Sequence, residues 1–126
     1  MKALSMKQPV PELIFQGKKT IETRTWKTEF LGEFLIHASQ GVIPELMDGF
    51  KKEGLIFGAV LGKAEIVERK VYRNKAELDL DYKKHLVKKA KKFPTYGYIL
   101  KNVKRFEKPI PMKGKLNFFE VDNIIF

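Results

Sequence analysis

Cysteine is absent from this sequence of 126 residues, and histidine occurs only as His37 and His85. Without cysteine the chain can form no disulfide, no thiolate nucleophile and no sulfur-based zinc site. Two histidines are too few for a histidine-rich metal cluster, although carboxylates remain available as ligands. We therefore expect no metal and no cofactor.

Long apolar runs are also missing. No stretch approaches the ~20 apolar residues that a membrane helix needs, and the opening MKALSMKQP lacks the apolar run of a signal peptide. These absences predict a cytoplasmic protein with no membrane partner. The length predicts a single domain over residues 1–126, because two domains would each be near the lower limit for a stable core.

Negative charge is in short supply. The chain has 25 Lys and Arg residues against 15 Asp and Glu, which gives a net charge of +10. An excess of this size attracts polyanions over long distances and favours RNA or a nucleotide as the partner. The alternative is that the lysines only keep the surface soluble.

Segments rich in β-branched and apolar residues predict strands, and apolar residues at helical spacing bounded by Pro or Gly predict helices. The predicted strands cover residues 2–6, 20–26, 32–39, 56–72, 96–106 and 116–126, and the predicted helices cover 11–16, 44–53 and 74–93. Gly58 and Gly62 break the segment 56–72, which is therefore either one long, bent strand or two strands that meet at a bulge. Pro109 and Pro111 should form an irregular turn. Since strands and helices do not alternate regularly, we predict an α+β fold, a small mixed β-barrel of five or six strands with two or three flanking helices.

The segment GKKTIETRTW is the main candidate for a functional site. Lys19 stands at the start of the predicted strand, and Glu22, Arg24 and Trp26 follow on one face at the two-residue period. Arginine can grip phosphate or a carbonyl group, and tryptophan can stack on a base. The alternative is a solvated strand face with a weak local ion pair between Glu22 and Arg24.

Other residues are weaker candidates for ligand contacts. Gln8 either reads a base edge or caps the following helix. His37 and Ser39 end a buried strand, and a histidine there is more often structural than catalytic. Tyr96 either adds a second aromatic wall or packs in the core. His85 should lie on the surface of a lysine-rich helix over residues 83–92, which would attract RNA without reading its sequence.

Several segments together resemble the ASCH domain, which is similar in fold to PUA RNA-binding domains. They are LSMKQPVPELIFQGKKTIETRTW, GEFLIHAS, FGAVLGKAEIV and YGYILKNVKRFEKPIPMKGKLNFFEV, and they cover residues 4–121. Within them Gly17, Lys19, Glu22 and Arg24 match the family pattern G-x-K-x-x-E-x-R. The resemblance implies a PUA-like β-barrel whose cleft is lined by Lys19, Glu22 and Arg24, and it implies RNA binding in transcription, RNA processing or translation.

Some small members of this group resemble amidohydrolases that deacetylate cytidine derivatives. Their proposed catalytic set is a Lys, a Thr three residues later and a distant Glu. Here Lys19 matches the Lys, but Glu22 stands in place of the Thr, and Glu65 and Glu68 match the distant Glu only by rough position. This departure argues against a threonine nucleophile.

Three hypotheses follow from the sequence. The leading one is a non-enzymatic module that binds RNA or a nucleotide through Lys19, Glu22, Arg24, Trp26 and Tyr96. The second is a small amidohydrolase in which Lys19 is the base and Glu22 tunes its pKa. The third is a domain that binds a protein partner, holding a peptide in the same cleft.

Overall fold

A computed structural model describes residues 1–122 of the chain. It contains six strands, three short α-helices and two 3₁₀ turns. The strands are β1 (Lys2–Gln8), β2 (Ile21–Arg24), β3 (Gly32–Val42), β4 (Ala59–Tyr72), β5 (Thr95–Pro111) and β6 (Phe118–Glu120). The α-helices are α1 (Val10–Phe15), α2 (Lys75–Leu80) and α3 (Tyr82–His85).

All six strands form one mixed sheet in the order β2-β5-β4-β3-β1-β6. The pair β1–β3 is parallel, and the other four pairs are antiparallel. The sheet and its short helices confirm the predicted α+β class. The long strand β4 loses its regular register between Val60 and Gly62, so the predicted irregularity at this glycine is also confirmed.

The sheet curls, but backbone pairing does not close it into a barrel within the part of the chain that the structure describes. Side chains bridge the two edge regions instead. The rings of Trp26, which follows β2, and Phe118 in β6 meet edge to face at 5.6 Å. Arg24 of β2 reaches across to β1, where it donates to the carbonyl of Ser5 at 3.0 Å.

The main core lies on the concave side of the sheet. It consists of apolar residues from β1, α1 and strands β3 to β5, namely Leu4, Met6, Val10, Ile14, Phe34, Ile36, Ala64, Ile66, Tyr98 and Leu100. A smaller cluster of Ala3, Leu35, Val60 and Phe119 packs on the opposite face. Because α1 contributes Leu13 and Ile14 to buried positions, its end is fixed relative to the start of β2.

Two predicted helices were wrong. Residues 44–53 form only the 3₁₀ turns Pro44–Leu46 and Lys52–Gly54, with Gly49 at φ +83° between them. The helix over 74–93 divides into α2 and α3 and stops at His85, because Leu86 adopts a left-handed φ of +63°. The lysines of residues 86–92 therefore lie on irregular backbone and not on a helix.

The carboxy-terminal region also differs from its prediction. Pro109 and Pro111 form no turn, because β5 continues through both of them to pair with β4. The last strand is limited to Phe118–Glu120, and the predicted strand residues 123–126 lie outside the described part of the chain. Over residues 1–122, no helix is long and apolar enough to cross a membrane.

Candidate functional site

The turn between α1 and β2 places Lys19 at the edge of the core. Gly17 ends the turn after α1 with a φ of +76°, a conformation that glycine adopts without steric cost. The backbone amides of Lys18 and Lys19 both donate to the carbonyl of Leu13. The chain is therefore held tightly against α1, and the Lys19 side chain points under the sheet instead of into solvent.

Lys19 is buried, with 2% of its surface exposed. Its ammonium group donates to the backbone carbonyl of His85, at the end of α3, and lies 3.4 Å from Oε1 of Glu22. The cation thus joins α3 to β2. Both of its partners come from the protein, so the ammonium is not a free contact point for a ligand.

Glu22 is the buried anion at the centre of the site. Its Oε2 accepts from Nε of Arg24 at 3.0 Å and lies 2.8 Å from Nη2 of the same guanidinium. Nη2 also donates to the carbonyl of Ser5. Among residues 1–122 the structure gives no partner for Nη1 of Arg24, whose side chain is 22% exposed. Arg24 is therefore the member of this group that reaches the surface.

Burial and charge oppose each other within this group. Burial lowers the pKa of Lys19, although the neighbouring carboxylate of Glu22 acts in the opposite direction. Burial would raise the pKa of Glu22, but Arg24 and Lys19 together hold that pKa below its ordinary value. Glu22 is consequently ionised at neutral pH, and with Lys19 protonated the three side chains carry a net charge of +1.

Two aromatic side chains stand beside Arg24. The guanidinium carbon of Arg24 lies 5.9 Å from the centre of the Trp26 ring. Tyr96 lies directly opposite Arg24 in the β2–β5 pair and packs against the core cluster. The hydroxyl of Tyr98 fixes the loop after β2, since it donates to the carbonyl of Trp26 and accepts from the amide of Thr28. The face predicted for Glu22, Arg24 and Trp26 is thus a structured group with half-buried aromatic walls.

His85 is buried in the interior, so its predicted surface position was wrong. Its Nε2 donates to the carbonyl of Leu78 at 2.7 Å, and its Nδ1 accepts from the amide of Val87 at 2.9 Å. Burial lowers its pKa, in keeping with a neutral ring. The surrounding lysines concealed this role in the sequence, because they suggested a solvated helix.

His37 and Ser5 form a polar pair beside the side chains of Lys19, Glu22 and Arg24. Nε2 of His37 donates to the carbonyl of Met112 at 2.7 Å, and Nδ1 lies 2.8 Å from the hydroxyl of Ser5. Gly114 packs so closely on this pair that an added Cβ would lie 2.7 Å from the His37 ring. Ser5 links the pair to Arg24 through its carbonyl. Although LSMKQP carries part of the family resemblance, no pattern within it singles out Ser5.

Gln8 is fully buried at the end of β1. Its side-chain amide donates to the carbonyl of Ile56 at 2.8 Å, and α1 has no side-chain cap, so the interpretation of Gln8 as a helix cap was wrong. Its Oε1 is buried and has no hydrogen-bond partner among the described residues. A buried acceptor of this kind suits an ordered water molecule.

The remaining candidates lie apart from Arg24. Ser39 is half-buried on β3, and no described hydrogen bond joins it to the Arg24 group. Glu65 accepts from Asn102 on β5 at 2.7 Å, and Glu68 is exposed on β4. Neither glutamate contacts Lys19, so the structure does not bring together the Lys and distant Glu of the amidohydrolase pattern.

Comparison with known proteins matches residues 4–110 to the model of the ASCH domain. A crystal structure of ASCH from Zymomonas mobilis superposes with a TM-score of 0.65 at 17% identity, covering 87% of this chain and 72% of that one. The structure of a serine-to-alanine mutant of the Zymomonas mobilis protein superposes with a TM-score of 0.63 at 14% identity, covering 88% of this chain and 73% of that one. At these identities the structures support the fold alone. No curated protein matches the sequence significantly.

Proposed function

This chain belongs to the ASCH domain family, and on that premise we propose that it is a cytoplasmic module that binds RNA, or a nucleotide unit of it, around Arg24. We call this group of residues the Arg24 site; it consists of Ser5, Lys19, Glu22, Arg24 and Trp26. The observation that carries the proposal is the guanidinium of Arg24. Its Nε and Nη2 contact the carboxylate of Glu22, and Nη2 also donates to the carbonyl of Ser5. Nη1 has no partner among residues 1–122 and remains available at the surface.

Arg24 is the proposed contact to a phosphate or a base carbonyl. A guanidinium whose orientation is already fixed loses little conformational freedom when it binds, which favours affinity. The net charge of +1 within the Arg24 site adds attraction for an anion. Hydrogen bonds that involve a charged group contribute about 1.5–3 kcal/mol each.

Lys19 and Glu22 act behind Arg24 in this proposal. Glu22 is 7% exposed and Lys19 is 2% exposed, so direct contact with a large ligand would require both to leave their protein partners. Their role is to hold the guanidinium in place and to balance its charge. This differs from the sequence-based hypothesis, in which Lys19 touches phosphate and Glu22 accepts from a base amine.

Trp26 supplies the proposed stacking surface. Its ring packs against Tyr98 and Phe118, which fixes its plane, and Arg24 lies over it. Base–aromatic stacking contributes about 1–3 kcal/mol per base. Tyr96, on the strand opposite Arg24, is the second candidate wall. Gln8 is fully buried, so no contact with a base is assigned to its unpaired Oε1.

The test compares two arginine variants that lose the same charge. We expect Arg24→Ala to weaken binding of a labelled single-stranded RNA of about 12 nucleotides by roughly 10- to 100-fold in fluorescence anisotropy. Arg73→Ala is the matched control, because Arg73 is exposed and its guanidinium pairs with Glu77 alone over the part of the chain that the structure describes. Equal affinities of the two variants for RNA would overturn the proposal, provided that both unfold cooperatively.

The alternative function is an amidohydrolase that deacetylates a modified cytidine. The lowered pKa of Lys19 is the observation that favours it, because a general base needs a pKa near the working pH. Against it, Lys19 is buried and paired, and Glu22 replaces the threonine. Release of acetate from acetylated cytidine, lost in Lys19→Met, would support this alternative over RNA binding.

A further inference from the structure

A second basic feature lies on the outer side of the turn that carries Lys19. It is a surface hollow of about 300 Å³. Its polar lining is Thr20, Lys70, Lys84 and Lys101, and its apolar lining includes Ile99 and Leu100. We call it the lysine hollow. Its three lysines come from three different elements, β4, α3 and β5, so their convergence is a property of the fold and not of a lysine-rich segment.

Backbone hydrogen bonds fix the base of the lysine hollow. The amide of Thr20 donates to the carbonyl of Lys84 at 2.8 Å, and the amide of Leu100 donates to the carbonyl of Thr20 at 2.9 Å. Thr20 thus joins α3 to β5, while its own side chain remains exposed. No described residue bonds the hydroxyl of Thr20, which can donate to a ligand between the lysines.

The nearby carboxylates do not neutralise the lysine hollow. Asp81 accepts from both Lys70 and the hydroxyl of Tyr72, so it is committed to one of the three lysines. Glu65, opposite Lys101 in the β4–β5 pair, accepts from Asn102. Lys84 and Lys101 have no ion pair among residues 1–122. Two ammonium groups without an ion pair in the described part of the chain therefore share one concave surface with a hydroxyl donor, although the charge of Asp81 also acts on Lys84.

The position of the lysine hollow relates it to the Arg24 site. Thr20 immediately precedes β2, and Arg24 is the last residue of that strand. At about 3.3 Å per residue the two lie roughly 13 Å apart along the strand. A ligand with several phosphates can span this distance, whereas a single phosphate cannot.

We infer that the lysine hollow binds the phosphate backbone of an RNA strand that extends beyond the Arg24 site. The choice of RNA rests on the proposed function. Ammonium groups act as point charges without preferred direction, and the hollow has no aromatic ring for stacking. Its contribution is therefore independent of sequence and sensitive to salt.

The test uses two double variants that change the net charge equally. Lys84→Glu with Lys101→Glu alters the hollow, whereas Lys51→Glu with Lys108→Glu alters two exposed lysines outside it. We expect the first pair to weaken binding of the same labelled RNA about tenfold or more. It should also reduce the slope of log affinity against log salt by about 1.4, since each single-strand phosphate contact contributes about 0.7. The second pair should cause a smaller loss and leave the slope unchanged.

The outcomes separate this inference from the proposed function. If the unaltered protein retains no RNA, both fail. If RNA binding depends on Arg24 but the two double variants behave alike, only the inference fails. A third result would overturn the assignment to RNA. In it, inorganic phosphate added at matched ionic strength displaces RNA from the unaltered protein but not from the double variant Lys84→Glu with Lys101→Glu. The hollow would then be a site for a free anion.

Discussion

At the scale of single residues, the electrostatics of the Arg24 site depend on Glu22. This carboxylate is buried between two cations, Lys19 at 3.4 Å and Arg24 at 2.8 Å. Removing one partner from a buried ionic group leaves an uncompensated charge and commonly costs about 3–5 kcal/mol. Without Glu22, the buried ammonium of Lys19 and the partly buried guanidinium of Arg24 would also repel each other.

The first prediction concerns Glu22→Gln and its dependence on pH. The pKa of Glu22 is lowered in the folded state, so the stability from its ionised form is fully present above about pH 4.5 and is lost as pH falls through the lower folded pKa. We expect the variant to be about 3 kcal/mol less stable at pH 7. Urea unfolding should show that this difference narrows below about pH 4.5.

Glu45→Gln is the control for that experiment, because Glu45 is an exposed carboxyl in the first 3₁₀ turn. Its stability should stay close to that of the unaltered protein at both pH values. A constant difference between the protein and Glu22→Gln from pH 7 to pH 3 would contradict the role assigned to the Glu22 carboxylate.

The sequence predicted which residues share the face of β2, but not how deeply they lie. The two-residue period of a strand is sufficient to place Glu22 and Arg24 together. Burial of Lys19 depends on the carbonyl of His85, 66 residues away along the chain, and Arg24 depends on the carbonyl of Ser5. Backbone acceptors supplied by distant elements leave no trace in local sequence, so a buried network and a solvated strand face were indistinguishable.

At the scale of elements, the bend of β4 depends on a close approach at Gly62. A Cβ at this position would collide with the backbone carbonyl of Lys104 on β5 and would lie 2.7 Å from the ring of Phe15. The guanidinium of Arg105 covers the same ring at 4.4 Å. Strand β5 and helix α1 both rest against this glycine, and α1 in turn positions Lys19.

The second prediction is that Gly62→Ala destabilises the fold by about 1–3 kcal/mol, the usual cost of overpacking. The reason is that a backbone carbonyl cannot move aside as a flexible side chain can. Gly54→Ala is the matched control, since an added Cβ at Gly54 meets nothing within 4 Å. Thermal unfolding of both variants measures the difference, and equal melting temperatures would refute the close approach.

The predicted elements were most accurate where side-chain periodicity coincides with burial. All six predicted strands have counterparts in the structure, and Gly62 indicated the irregularity in β4 because glycine often marks a bulge. The lysine-rich helix predicted over residues 83–92 ends at His85, because Leu86 adopts a left-handed φ of +63°. At this end of α3 the Lys19 ammonium donates to the carbonyl of His85 and the amide of Thr20 donates to the carbonyl of Lys84, and such long-range contacts cannot be read from propensity.

At the scale of the whole molecule, the charge and the fold act together. The net charge of +10 attracts polyanions to the whole surface of the protein. The curled sheet brings its two edge regions together through Trp26 and Phe118, next to Arg24. In the proposed function the whole surface attracts RNA, the lysine hollow contacts its backbone and the Arg24 site recognises it.

The family could be identified from the sequence, whereas the separate roles of Lys19, Glu22 and Arg24 within the site could not. The ordered segments from LSMKQP to the final strands carry enough pattern for the ASCH resemblance, and the match over residues 4–110 confirms it. Which side chain reaches solvent depends on how the sheet curls. Because β1 and β2 lie far apart in the sheet order, no local pattern reports that Arg24 spans them.

The central claim is that RNA contacts Arg24 and Trp26 directly, and NMR titration of the isotope-labelled protein tests it most directly. With increasing short single-stranded RNA, we expect the Nε–H resonance of Arg24 and the indole N–H resonance of Trp26 to shift and to saturate together. The indole shift should be lost in Arg24→Ala. If saturating RNA moves only resonances of surface lysines and leaves Arg24 and Trp26 unchanged, the account is contradicted.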